Sequence, residues 1–283
     1  AGEHAAIYAS FTELKNRGVE PRFAPVHRDG SVDAEALLSL VDEKTSFVSV
    51  VHVNNETGAV NDIAKLARLV KAKNPRTVFH SDGVQAFGKL PVRISGEIDL
   101  YSLSAHKIGG AKGTGALVKR KKLALQPYLF GGGQENGLRS GTENGFGIDC
   151  FRYAAEEKFR TLKEDAVRLE AYREALWTAL EQPLFTRISP ENGSPYILTV
   201  SAGRLRGEVL QRKLWDSGIA VGTGSACSSK KPHSRVITAC GYGADVLDGV
   251  LRVSFSSETT KEEVILCAQE MNRAAREMKE ITG

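Results

Sequence analysis

Cysteine is scarce and scattered in this 283-residue chain. Cys150, Cys227, Cys240 and Cys267 are the four present, and none forms a Cys-x-x-Cys pair. That spacing argues against a structural zinc site. The low density argues against a disulfide framework and favours a reducing, cytoplasmic setting. Long apolar runs are missing too: nothing approaches the roughly 20 residues of a membrane span, and no signal-peptide pattern opens the printed residues, so no membrane partner is expected. There is no excess of one charge. The net charge is +4, and the densest basic run, Lys119-Arg120-Lys121-Lys122, follows a strand pattern without interleaved aromatics. It reads as a solvated turn, and nucleic acid is not an expected partner. An initiator methionine is absent as well. Ala1-Gly2-Glu3-His4 leads directly into a helical pattern with Ile7, Phe11 and Leu14 on one face, as if the chain were cut inside a domain.

What remains is an ordinary globular composition, 41% hydrophobic and 25% charged. The first half alternates helix and strand patterns. A helix over 4–16, a strand over 20–26, a helix capped at Asp33, a buried parallel strand over 45–53 and a helix capped at Asp62 come first. Short strands then fall at 78–80, 100–102 and 115–118. Alternation of this kind predicts an α/β domain with a mostly parallel sheet. After Gly131-Gly132-Gly133 an amphipathic helix is expected over 151–181. Strands at 196–201, 219–221 and 251–255 and helices at 207–216 and from 261 onward give a smaller α+β unit. The expected division is 1–150 for the larger domain and 151–283 for the smaller.

Ligands of open α/β sheets gather beyond the carboxyl ends of the strands. Polar clusters fall at such ends: His52-Val53-Asn54-Asn55-Glu56-Thr57-Gly58, His80-Ser81-Asp82-Gly83-Val84-Gln85, and Ser104-Ala105-His106-Lys107. Glu3-His4 joins them if a strand precedes residue 1. Each has a bland reading as a turn or a structural histidine. Together they suit a pyridoxal-phosphate site, with Lys107 as the Schiff-base lysine and Asp82 as the acid paired with the pyridinium nitrogen. Ser104 and His106 could hold a phosphate, Gln85 a ring hydroxyl, and His4 could stack on the ring. Cys227 sits among small residues in Gly224-Ser225-Ala226-Cys227-Ser228-Ser229, with Lys230, Lys231 and His233 nearby. Such a thiol suits a nucleophile, whereas the other three cysteines lie in or beside apolar helical patterns and read as inert. Arg252, inside a strand pattern, either clamps a carboxylate or faces water at a sheet edge.

These pieces, with Lys112-Gly113-Thr114-Gly115, Arg139-Ser140-Gly141-Thr142-Glu143-Asn144 and Leu251-Arg252-Val253-Ser254, resemble the cysteine desulfurases of the NifS/IscS type. Those belong to the class V aminotransferase group of fold-type I pyridoxal-phosphate enzymes. The order and spacing agree along the whole chain. Ala111 stands where the family usually has proline. The resemblance implies removal of sulfur from L-cysteine, giving L-alanine and a Cys227 persulfide for an acceptor protein in iron–sulfur or thio-cofactor synthesis. Selenocysteine lyase and cysteine sulfinate desulfinase use the same scaffold, and a non-catalytic scaffold partner is a further alternative. By the same resemblance Lys107, Cys227 and His4 are catalytic. Asp82, Gln85, Asn55, Ser104 and His106 contact the coenzyme, Thr142 reaches the phosphate of a homodimer partner, and Arg252 and Asn55 meet the substrate. The family carries roughly a hundred more residues at the front, including a helix N-terminus that cradles the phosphate. Weak coenzyme binding by this polypeptide alone is therefore expected.

Overall fold

The structure, a computed structural model, describes residues 1–223 and 233–282. Two sheets organise it. In the first, β1 (Phe47–Ser49), β2 (Val78–Asp82) and β3 (Leu100–Ser104) run parallel, and β4 (Gly115–Lys119) closes the row antiparallel to β3. The register places Ser49 beside His80, and Asp82 beside Ser102. Pairing continues beyond β1: the His52 amide donates to the Asp82 carbonyl at 2.9 Å. The chain leaving β1 therefore travels alongside the end of β2, which brings two of the polar clusters to one edge.

The helices follow from their caps. α1 (Ala5–Asn16) starts at His4, whose Nδ1 accepts the Ala6 amide at 3.2 Å. α2 (Ala34–Ser39) is capped by Asp33, and α3 (Ile63–Lys73) by Asp62. Each carboxylate takes an orphan amide of the first turn. α3 buries Ile63, Leu66, Ala67 and Val70 against Val48, Phe79 and Tyr101 of the sheet. Lys71, in its last turn, donates to Asp99 at 2.5 Å and to the Thr77 carbonyl, tying helix to sheet.

The second sheet is antiparallel, in the order β5 (Thr186–Arg187), β6 (Ile197–Ser201), β7 (Val250–Ser254). α4 (Gly145–Ala179), α5 (Gly207–Asp216) and α8 (Lys261–Thr282) accompany it, with α6 (Arg235–Ala239) and α7 (Ala244–Leu247) between. Leu169, Leu176, Leu198, Leu210, Leu214, Leu251 and Met271 form its core, separate from the first.

Three expectations need correction. Residues 20–26 form no strand; a lone bridge joins Val26 and Val32. Pro21 and Pro25 remove donors at alternate positions, so no ladder propagates. Residues 219–221 are likewise not a strand, and Gly222 makes one two-way bridge with Arg252 instead. α4 begins six residues earlier than its apolar spacing implies, because Asn144 accepts the Gly147 amide at 3.0 Å and overrides two helix-weakening glycines.

The candidate active site

Lys107 lies on a single 3-10 turn (Ala105–Ile108) directly after β3. The turn is pinned by the buried Ala105 and Ile108 and ended by Gly109, whose φ of 94° suits glycine. Lys107 itself is exposed, and no carboxylate pairs with it among the described residues. Beside it, Ser104 Oγ and His106 Nδ1 are hydrogen-bonded at 2.7 Å.

Asp82 ends the neighbouring strand and is 8% exposed. One of its oxygens accepts the Val84 amide at 2.9 Å, and no cation pairs with it among the described residues. The following turn is tight. A Cβ at Gly83 would meet the Tyr101 ring at 2.0 Å, so that position admits glycine alone. The Tyr101 hydroxyl in turn is hydrogen-bonded to His52 Nδ1 at 2.8 Å. Burial pushes the His52 imidazole down to about 4 and the Tyr101 phenol up, so the pair is neutral at physiological pH.

Asn54, which has no assigned role in the His52–Gly58 cluster, shapes it. Its Oδ1 accepts the amides of Glu56 and Thr57, and its amide donates to the Gly2 carbonyl. This Asx-type turn presents Asn55 toward Arg252, whose Nη1 donates to the Asn55 carbonyl at 3.0 Å. Asn55 Oδ1 and Arg252 Nε are both buried, with no partner among the described residues. Arg252 is thus not the water-facing edge residue that its strand position also allowed. Glu56 is buried next to it and accepts from the Ser234 hydroxyl. Gly222, bridged to Arg252, and Ser234, bonded to Glu56, flank the segment that holds Cys227. Cys227, Lys230 and Lys231 lie outside the described residues. Among the other cysteines, Cys240 and Cys267 are buried, and burial pushes both thiols up to about 12. Cys150 is half-buried on α4.

His4 is brought to the same edge. Because its Nδ1 accepts a helix amide, its proton sits on Nε2. Glu3 beside it is half-buried, with its Oε2 shut off from solvent, and is close to Asp82, with the Ser49 hydroxyl and the Val51 backbone nearby; desolvation and then Asp82 push its carboxyl up to about 7. A raised folded value means that the folded chain keeps a proton which the unfolded chain releases above pH 4.5. Stability therefore falls as pH rises from 4.5 through 7. A Glu3→Gln variant is expected to be about 1–3 kcal/mol more stable than wild type at pH 8 and equal to it at pH 4.5, read by urea denaturation at the two pH values.

Two residues of the quoted motifs lie apart from this group. His80 is held between Ser49 and Ser102 at 2.9 and 2.8 Å and serves the sheet. Thr142, assigned by the resemblance to the other chain's phosphate, is exposed in the loop before α4.

These groups fit pyridoxal phosphate. Asp82 is a buried acid awaiting a cation, Lys107 is a free amine one strand away, and the Ser104–His106 pair offers polar ligands beside it. Asn55 and Arg252 carry buried polar atoms that a bound substrate would satisfy.

Comparison with known proteins agrees. Residues 1–266 match the family described as aminotransferase class-V. The cysteine desulfurase IscS of Anaeromyxobacter dehalogenans is 37% identical over 99% of this chain and 70% of its own length. The IscS of Proteus mirabilis is 34% identical over the same shares. Among solved structures, a NifS-like protein superposes with a TM-score of 0.89 at 35% identity, covering 96% of this chain and 72% of the other. A NifS-like protein from Rickettsia africae gives 0.85 at 27% identity, covering 98% and 74%. The chain is therefore a fold-type I, pyridoxal-phosphate-dependent member of the class V aminotransferase family, in its IscS/NifS cysteine desulfurase branch.

Proposed function

We propose that the protein removes sulfur from L-cysteine, releases L-alanine and keeps the sulfur on Cys227 as a persulfide for an acceptor protein. The observation that carries this reading is the convergence at one sheet edge of Asp82, Lys107 and the Asn55–Arg252 pair, each with a polar group that lacks a partner among the described residues.

When bound, pyridoxal phosphate supplies an electron sink for the substrate's α-carbon. Asp82 would keep the ring nitrogen protonated, Gln85 and Asn55 would hydrogen-bond ring and substrate, and Ser104 and His106 would hold the phosphate. His4, with its proton on Nε2, is the candidate stacking imidazole and a proton carrier. Arg252 Nε gains an acceptor in the substrate α-carboxylate, which also orients the side chain to be cleaved. Lys107 Nζ moves a proton at the α-carbon. The Cys227 thiolate attacks the substrate sulfur: an S–S bond forms, the substrate C–S bond breaks, and the thiol proton ends on alanine. Cysteine plus thiol thus becomes alanine plus persulfide.

The same reading includes a homodimer in which Thr142 reaches the other chain's phosphate site, and a cytoplasmic setting. Exposure of Thr142 supports the first. No described helix is long and apolar enough to cross a membrane, which is compatible with the second. The two separate apolar cores support a division near residue 150.

The test offers the intact enzyme L-cysteine, L-selenocysteine and L-cysteine sulfinate in parallel. Alanine from cysteine, matched by one protein-bound sulfane sulfur in a single turnover, is the expected result. Turnover of the sulfinate or the selenium compound with none of cysteine overturns the reading.

A further inference from the structure

Lys89 is a half-buried amine, desolvated at its head, that the reaction outlined above does not use. The chain after β2 coils into helical turns, with the amides of Ala86 and Phe87 on the Gly83 carbonyl and those of Lys89 and Leu90 on the Ala86 carbonyl. Gln85 and Lys89, four residues apart, share one face of these turns. Gly88, at φ 67°, brings the backbone so close to the Lys107 turn that a Cβ there would meet the Ile108 side chain at 2.9 Å. Lys89 is thereby driven beneath the site. Its Nζ donates to Gln85 Oε1 at 2.7 Å and lies 5.4 Å from the centre of the Tyr196 ring. The charged groups acting on it are Lys107, Lys158 and Arg252, all cations, and no carboxylate pairs with it among the described residues.

A desolvated ammonium among cations costs stability, so fold alone does not explain it. Its bond explains it better. A glutamine amide has one acceptor oxygen and one donor nitrogen, and the two ends exchange by a half-turn of the terminal torsion. With Oε1 fixed on Lys89, Nε2 is directed the opposite way, and it has no protein acceptor among the described residues. We propose that Lys89 is a positioning residue: it locks the Gln85 amide with its NH2 group toward the coenzyme, as a hydrogen-bond donor to the ring oxygen. This rests on the reading of Gln85 as a ring contact. The position of the ammonium supports it further, since burial and then the neighbouring cations Lys107, Lys158 and Arg252 push Lys89 down to about 8. Such a group donates to an amide oxygen whether charged or neutral, so the lock survives its titration.

The experiment is a double-mutant cycle on the intact enzyme, reading pyridoxal-phosphate affinity by absorbance titration and melting temperature without coenzyme. Lys89→Met keeps the aliphatic stem and removes the donor. It is expected to weaken coenzyme binding about 5–20-fold while leaving the melting temperature equal or higher. Gln85→Leu is expected to weaken binding by a similar factor, and the double variant by no more than Gln85→Leu alone. Gln85→Glu keeps an oxygen for Lys89 but has no NH2, and is expected to bind as weakly as Gln85→Leu. Multiplicative losses in the double variant, or full affinity in either the Lys89→Met or the Gln85→Glu protein, overturn the proposal. So does a lowered melting temperature in Lys89→Met, which marks a structural role. Full affinity in Gln85→Leu rejects instead the ring contact on which it rests.

Discussion

A Lys107→Ala enzyme is expected to lose the visible absorption band of bound coenzyme and to form alanine at least about a thousandfold more slowly. Two roles fall on one amine, covalent anchoring of the coenzyme and proton transfer at the substrate, so one truncation removes both. Lys107 is exposed and pairs with no carboxylate, while its turn is held by Ala105 and Ile108. Truncation therefore leaves the fold intact, and melting temperature without coenzyme should be unchanged. An unaltered visible band in the variant would refute the assignment. Lys89, the other amine acting at this site, is bonded to Gln85, which separates the two lysines by what they hold.

A Cys227→Ala enzyme is expected to behave in the opposite way. The visible band and coenzyme affinity stay at the wild-type level, and alanine formation from L-cysteine falls by more than about a thousandfold. The thiol does not contact the coenzyme in the proposed reaction; it is the acceptor without which the substrate C–S bond has nowhere to deliver its sulfur. Cys240 and Cys267 do not substitute for it, since both are buried with thiols pushed up to about 12, far from the thiolate form a nucleophile needs. Cysteine-dependent alanine formation at the wild-type rate would move the sulfur-accepting role to another residue. The pair of variants divides the site into a half that holds the coenzyme and a half that receives sulfur.

Much of this was legible in the residues themselves. Asp33 and Asp62 mark helix starts because a short carboxylate satisfies orphan amides locally. Asp82 and Lys107 stand out because polar groups just past apolar strands fall at the end of the sheet where ligands bind. What stayed hidden depends on contacts distant in sequence. Nothing local says that Glu3 is desolvated near Asp82, or that His80 is spent on Ser49 and Ser102. Asn54 looked like one more turn residue beside Asn55, although it shapes the turn. Lys89 carries no signal in the sequence, since only the packing of Gly88 on Ile108 brings it under the site. The strand expected over 20–26 fails for a local reason: Pro21 and Pro25 each remove a backbone donor that a ladder needs.

The Asn54–Gly58 turn is held from the other side as well. Ser189 Oγ donates to the Thr57 carbonyl at 2.6 Å, the Ser194 amide to the Gly58 carbonyl at 2.7 Å, and Thr199 Oγ1 to the Glu56 carbonyl. The seam between the two sheets is thus directional at this point rather than greasy. Apolar surfaces can slide by fractions of a side chain at little cost, but hydrogen bonds weaken steeply with misalignment. The two layers accordingly keep register as a rivet does, fully or not at all. Asn55 sits within this rivet, its carbonyl accepting from Arg252 of the second sheet, so its place depends on both sheets at once.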